Sequence, residues 1–120
     1  MTTRRSLAVA LCALGLLLLA PRLALAHAHL VSSTPAANAT VAGPEVMIEL
    51  KFNSRVDGQR SVLMLLSSDN RTETLSLDRQ SAATSLNAHA RIQPGHYTIH
   101  WQALSTDGHL TRGDIPFTVR

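Results

Sequence analysis

Beyond residue 26, apolar and polar residues alternate along most of the chain, with the period of two that half-buried β-strands require. The clearest runs are 46–52 (VMIELKF), 96–103 (HYTIHWQA) and 115–119 (IPFTV). Weaker runs lie at 61–67, 74–78 and 86–92, with a short strand near 29–32. About seven strands separated by turn signals, with no helix of ordinary length, predict an all-β antiparallel sandwich.

The aromatic residues are few and fall mostly on the apolar side of this alternation. Phe52, Trp101 and Phe117 each occupy an inward position of a predicted strand. A tryptophan on an alternating strand is more often a packing residue than a functional one. We therefore expect these three side chains at the centre of the core.

Residues 1–26 lack the alternation and predict a secretory signal peptide. A basic start precedes the uncharged run 7–20, and the small-residue pattern Ala-Leu-Ala ends at Ala26. We expect cleavage after Ala26, so that His27 is the first residue of the exported protein. Residues 27–120 then form a single domain.

An uncleaved membrane anchor or a lipoprotein is the alternative interpretation of this segment. A membrane-spanning helix needs about 20 apolar residues, and Arg22 ends the apolar run early. Cys12 follows the bulky Leu11 inside the run, where lipoprotein processing requires a small residue. Cleavage after the signal peptide is therefore the interpretation we adopt.

Removal of this segment changes the composition. The full chain carries 11 basic and 8 acidic residues and one cysteine, but three basic residues and the cysteine precede His27. The exported part is thus formally neutral, which weakens a nucleic-acid interpretation, and has no thiol for disulfides, catalysis or metal binding. It keeps all six histidines, namely His27, His29, His89, His96, His100 and His109.

The two chain ends carry the candidate chemistry. An N-terminal histidine offers its amine and its imidazole to one metal ion, and His27 acquires that amine only on cleavage. In an extended segment, Asp107 and His109 project to the same side, so both could reach one ion. Nitrogen donors with a carboxylate suit tetragonal Cu(II), whereas Cu(I) prefers sulfur.

The start HAHLVSSTPA, the strand IELKF and the run PGHYTIHWQALSTDGHLTRGDIPFTV together resemble the CopC family of bacterial periplasmic copper-binding proteins. The resemblance spans nearly all of 27–120 and implies an Ig-like β-sandwich or Greek-key barrel. It also implies Cu(II) ligation by His27, through amine and ring, and by Asp107 and His109.

The same resemblance implies a periplasmic protein, not an enzyme, that sequesters Cu(II) or delivers it in copper homeostasis or resistance. The expected partners are the copper ion and an inner-membrane copper-transport protein of the CopD type, with no nucleic acid and a monomeric state. Some members carry a methionine-rich loop for Cu(I), which is absent here, so the chain resembles the Cu(II)-only type. We interpret Met47 and Met64 as soft apolar packing.

The role of the other histidines is less determined. His29, at the third position, could bind Cu(II) together with the amine and two backbone amides, but that mode would discard His109. We expect His29 to be a neighbour of the ligands or an additional ligand. The remaining histidines, His89, His96 and His100, are expected at solvated surface positions.

Two other classes of function remain open at this point. A copper oxidase of the polysaccharide-monooxygenase kind also uses an N-terminal histidine brace, but Asp107 would crowd its open coordination position. A metal-free Ig-like interaction module would leave the paired chain ends without a role.

Overall fold

Two β-sheets face each other across an apolar core in the computed structural model, which describes residues 27–120. The sheets have the strand orders β1-β3-β6 and β2-β8-β7-β4-β5. The predicted all-β sandwich is confirmed, and within 27–120 no helix has the length and apolar character needed to cross a membrane. The strands are β1 (Leu30–Thr34), β2 (Thr40–Val41), β3 (Glu45–Phe52), β4 (Val62–Ser67), β5 (Thr72–Leu75), β6 (Ser85–Arg91), β7 (Gly95–Leu104) and β8 (Leu110–Val119).

The alternation read from the sequence sets which side chains face inward. In β3, Val46, Ile48 and Leu50 are buried, whereas Met47 and Lys51 are exposed. β7 and β8 follow the same rule and pair along their full length. Burial of one apolar face from each sheet forms the core, and it fixes the register because a one-residue slip would expose it.

Three features of the sheets differ from the sequence prediction, and one of them is that β8 begins at Leu110 rather than near residue 115. The structure has eight strands rather than about seven, because the short strand β2 was not predicted, and it pairs in parallel with β8 in an otherwise antiparallel fold. The strand predicted at 74–78 is β5, displaced toward the N-terminus, and Leu77 instead makes an isolated bridge to Ala88.

Trp101 lies in the core, as expected. Its ring packs edge to face against Phe52, with 5.3 Å between the ring centroids. The residue opposite it on β8 is Gly113, where a Cβ atom would come within 2.5 Å of the indole. Trp101 therefore serves packing, and the space for its indole depends on a glycine in the neighbouring strand.

The topology brings the start of the domain and the β7–β8 connection to the same end of the sandwich. Leu30, which begins β1, pairs with Phe52 at the end of β3. Leu104 and Leu110 form the last pair of β7 and β8 beside the connecting turn. The candidate ligands lie at this shared end.

Candidate metal site

The β7–β8 connection is a hydrogen-bonded turn rather than the extended segment that the sequence predicted. Within it, Gly108 N donates to Ser105 O at 2.9 Å, and Ser105 N donates to His109 O at 2.8 Å. Gly108 has a φ of +92°, a conformation that residues with a Cβ rarely adopt. The i and i+2 argument for Asp107 and His109 was therefore wrong in its geometry.

The turn nevertheless brings the two predicted ligands together. Asp107 Oδ1 lies 3.1 Å from His109 Nδ1. The distance is short enough for an ion pair, yet the angles are not those of a hydrogen bond, and this buried nitrogen has no hydrogen-bond partner. Two atoms that could each bind a metal ion thus lie close together without a hydrogen bond between them.

The hydroxyl of Ser105 organises the turn and the charge of its carboxylate. Ser105 Oγ donates to Asp107 Oδ1 and accepts from His109 N at 3.1 Å. The hydrogen bond from Ser105 lowers the pKa of Asp107, and the neighbouring His109 ring acts in the same direction. Asp107 is consequently anionic at neutral pH and available to a cation.

The beginning of the domain is held at the same end by hydrogen bonds to the backbone groups of residues 28 and 29. Ala28 is fully buried, and its carbonyl accepts from Thr111 Oγ1 at 2.8 Å. His29 N donates to Asn53 Oδ1 at 2.8 Å, and Asn53 N donates to His29 O at 3.0 Å. These contacts fix Ala28, the residue that follows His27. The His27 side chain is therefore held near the turn.

The rings of His27 and His109 lie 5.0 Å apart, centroid to centroid. All three ligands predicted from the sequence are thus neighbours.

Within 27–120, no three His, Cys, Asp or Glu side chains already form a group arranged to hold an ion. The predicted set includes a fourth donor, the His27 amine, which does not exist while Ala26 is attached. An unpartnered buried nitrogen beside an anionic carboxylate fits a nitrogen- and oxygen-binding cation.

His29 lies at the margin of this group. Its exposed ring is 6.3 Å from that of His27, farther than the His109 ring. Binding a metal through the His29 amide would break the hydrogen bond to Asn53. The structure therefore opposes the mode that wraps the first three residues around the ion, while the auxiliary role stays a prediction.

The other three histidines lie on the outer faces of the sheets. His89 and His96 are exposed, as expected, but His100 is half-buried. His89 Nδ1 is 2.7 Å from Asp78 Oδ2, a hydrogen bond that raises the pKa of His89. His100 Nδ1 is 2.7 Å from Asp114 Oδ1. The sequence prediction missed both carboxylate partners, and the cross-strand pairing of His100 with Asp114 could have been found only from the register.

The packing role predicted for Met47 is wrong. Its side chain is 68% exposed on the outer face of β3. Met64 is half-buried on the outer face of β4, also outside the core. Neither methionine therefore belongs to the apolar interior.

Comparison with known proteins places this geometry in a family. The chain is 34% identical over 123 residues to Protein YobA of Escherichia coli K12, a match that covers 99% of this chain and 98% of the relative. Two solved structures are each 28% identical to it. CopC from Methylosinus trichosporium OB3b has a TM-score of 0.69, covering 78% of this chain and 93% of its own. PcoC, a methionine-rich copper resistance protein from Escherichia coli, has a TM-score of 0.68, covering 79% and 100%.

The family model of the CopC domain matches residues 30–120, which include the whole sandwich, the turn between β7 and β8, and two of the three candidate ligands. The resemblance read from the sequence is confirmed: the chain belongs to the CopC family.

Proposed function

We propose that this chain is a periplasmic copper-binding protein that sequesters or delivers Cu(II) in copper homeostasis or resistance. Residues 1–26 act as the export signal, and 27–120 form the binding domain. Membership of the CopC family supports this function, as does the likeness to PcoC, which is itself a copper resistance protein. Residues 1–26, including the expected cleavage point, lie outside the described residues.

The proposed ligands are His27, through its amine and its ring, together with Asp107 and His109. The observation that carries the proposal is the 5.0 Å approach of the His27 and His109 rings beside the unpartnered His109 Nδ1. Amine, imidazole and carboxylate donors favour Cu(II) over Cu(I). His29 lies next to this set as an auxiliary group.

Protonation of the ligands controls when the site can take up copper. Asp107 is already anionic, because Ser105 lowers its pKa. The imidazoles must be neutral, and the His27 amine, with an ordinary pKa of about 8, must lose a proton when the ion binds. Uptake of Cu(II) therefore releases protons and weakens as the pH falls.

The partial exposure of the site is compatible with transfer of copper to another protein, and we propose a carrier rather than an enzyme. The side chains of Asp107 and His109 are 41% and 37% exposed. A second protein could reach these ligands without unfolding the sandwich, as transfer to an inner-membrane protein of the CopD type requires. We propose that the carrier is a monomer and that it does not bind nucleic acid.

Native mass spectrometry of the protein exported to the periplasm tests the proposal. We expect a chain that begins at His27 and binds one Cu(II) ion, and we expect His109→Ala to lower the fraction of the protein that carries this ion when a competing chelator is present. His96→Ala is the matched control, since His96 is exposed and remote from the turn. An exported chain with another first residue, or an adduct unaffected by His109→Ala, would contradict the proposed site.

A further inference from the structure

Exposed apolar side chains lie beside the candidate metal site, at the end of the sandwich formed by the start of β1 and the β7–β8 turn, which we call the metal end. Leu110 is 43% exposed and directly follows His109. Val31 is 68% exposed and lies at the bulge where the pairing of β1 with β3 shifts register. Two of the three large apolar side chains exposed within 27–120 are therefore at this end, and Met47 is the third.

The two segments that carry these side chains are tied to each other. Thr111 Oγ1 donates a hydrogen bond to Ala28 O at 2.8 Å. Thr111 follows Leu110, and Ala28 precedes Val31 by three positions. The structure thus holds both exposed side chains on one end of the domain.

Three exposed arginines lie at the same end, and none of them makes an ion pair with a residue of 27–120. The carbonyl oxygen of Arg55 accepts a hydrogen bond from Thr106 N in the turn at 3.3 Å. Arg79, in the connection from β5 to β6, lines a cavity together with Val56, the residue after Arg55. Arg112 lies on the outer face near the start of β8.

The acidic residues at the metal end do not cancel these three charges. Asp57 has its own partner, Arg60, whose Nε lies 3.9 Å from Asp57 Oδ2. Asp78 and Asp107 then contribute two negative charges against the three unpaired arginines. The metal end therefore carries a net positive charge, although the exported chain as a whole is formally neutral.

We propose that the metal end docks on an anionic phospholipid surface. Val31 and Leu110 enter the headgroup region, and the three arginines contact lipid phosphates. Separate apolar side chains with arginines between them suit a bilayer interface, whereas the core of a protein interface is a contiguous apolar patch. Docking would turn the copper ligands toward the membrane, where the proposed receiving protein lies.

Flotation of the exported protein with lipid vesicles tests the proposal. The protein is free of metal, so the result does not depend on whether the proposed ligands bind Cu(II). We expect binding to vesicles of phosphatidylglycerol mixed equally with phosphatidylcholine, weakening as salt is added, and none to pure phosphatidylcholine. Absence of binding to the anionic vesicles would overturn the proposal and leave a protein partner as the occupant of this face.

Single arginine variants distinguish a docking face from attraction by overall charge. A basic residue near an anionic surface contributes about fivefold to the affinity, so we expect a loss of that size in Arg55→Gln and in Arg112→Gln. Arg120→Gln is the matched control, since Arg120 is exposed and makes no ion pair with a residue of 27–120. It follows β8 at the opposite end, roughly 30 Å from Leu110 at about 3.3 Å per residue. An equal loss in Arg120→Gln would contradict docking by the metal end.

Apolar variants test the entry of side chains into the bilayer. We expect Leu110→Ser and Val31→Ser each to weaken vesicle binding about fivefold. Met47→Ser removes an exposed apolar side chain from the outer face of β3 and should leave binding unchanged. An unchanged circular dichroism spectrum shows that each variant is folded. If folded Leu110→Ser and Val31→Ser bind as the parent does, these side chains do not enter the bilayer and the proposal is wrong.

Discussion

The domain contains two kinds of aspartate–histidine pair, which differ in what the carboxylate does. On the sheet faces, as in Asp78–His89, the carboxylate oxygen lies 2.7 Å from Nδ1 and makes a hydrogen bond with it. At the β7–β8 turn, Asp107 instead accepts a hydrogen bond from Ser105 Oγ. His109 Nδ1 lies 3.1 Å from Asp107 Oδ1 but has no hydrogen-bond partner. On a sheet, the aspartate thus holds one imidazole ring in place. At the turn, the aspartate oxygen and the imidazole nitrogen lie close together, and both could bind a metal ion.

The difference shows that the backbone, more than the residue type, decides whether the carboxylate makes a hydrogen bond with the ring nitrogen. The sheet pairs face solvent, each with one ring nitrogen occupied. The turn pair faces His27, which the proposed cleavage after Ala26 would make the terminal residue. Four predictions test this contrast, beginning with the largest expected effect.

Retention of Ala26 ahead of His27 should weaken Cu(II) binding most. The extra residue converts the amine into a peptide nitrogen and removes the chelate ring with the imidazole. Loss of such a linked second donor costs about 10²- to 10⁴-fold in affinity. Competition with a Cu(II) chelator measures the change, and equal affinity of the extended and correctly cleaved forms would refute the N-terminal part of the site.

Replacement of the two kinds of histidine should have unequal effects on Cu(II). We expect His109→Ala to weaken Cu(II) binding about 100-fold, whereas His89→Ala leaves it within a few-fold, because only His109 is near His27. His29→Ala should fall between them. Isothermal titration calorimetry gives the affinities, and a loss in His29→Ala as large as in His109→Ala would make His29 a full ligand.

Copper should stabilise the folded domain in a pH-dependent way. One ion joins ligands about 80 residues apart, so it binds the folded state far better than the unfolded state. At a free concentration of 1,000 times Kd, this adds about 4 kcal/mol to the free energy of unfolding. The gain in Tm should disappear as the pH falls below the histidine range near 6.5. Thermal melts that show equal stabilisation at about pH 4.5 and 7.5 would contradict a histidine and amine ligand set.

The smallest effect concerns the sheet pair alone. Since Asp78 raises the pKa of His89 above its ordinary value, this pair stabilises the fold fully below about pH 6.5. The contribution is lost as the pH rises through the higher folded-state pKa. In Asp78→Asn, the NMR titration midpoint of the His89 ring should fall back toward 6.5. The midpoint staying where it was would mean that the carboxylate does not hold the ring.

Strand alternation made most of the fold predictable, and its failures have local causes. β2 is two residues long, and a period of two cannot be recognised in Thr40–Val41. The strand predicted at 74–78 was placed too far toward the C-terminus, because Leu77 fits the same alternation. In the structure, Leu77 makes only an isolated bridge to Ala88. In both cases the hydrogen bonds come from a neighbouring strand, which a local pattern does not reveal.

The three residues of the candidate site were identified from the chain ends, but for a partly mistaken reason. Asp107 and His109 meet through a turn that depends on Gly108 and on the Ser105 hydroxyl, not through an extended segment. The partner of His89 could not be predicted, because Asp78 reaches it from a segment between strands. Contacts set by register or by a turn require the folded chain.

Electron paramagnetic resonance of the exported protein with one equivalent of Cu(II) tests the central claim most directly. The account predicts a tetragonal Cu(II) spectrum with nitrogen coupling from the His27 amine and from two imidazoles. That coupling should change in His27→Ala and in His109→Ala and persist in His96→Ala. A spectrum unchanged by His27→Ala or His109→Ala would show that the two chain ends do not form the copper site.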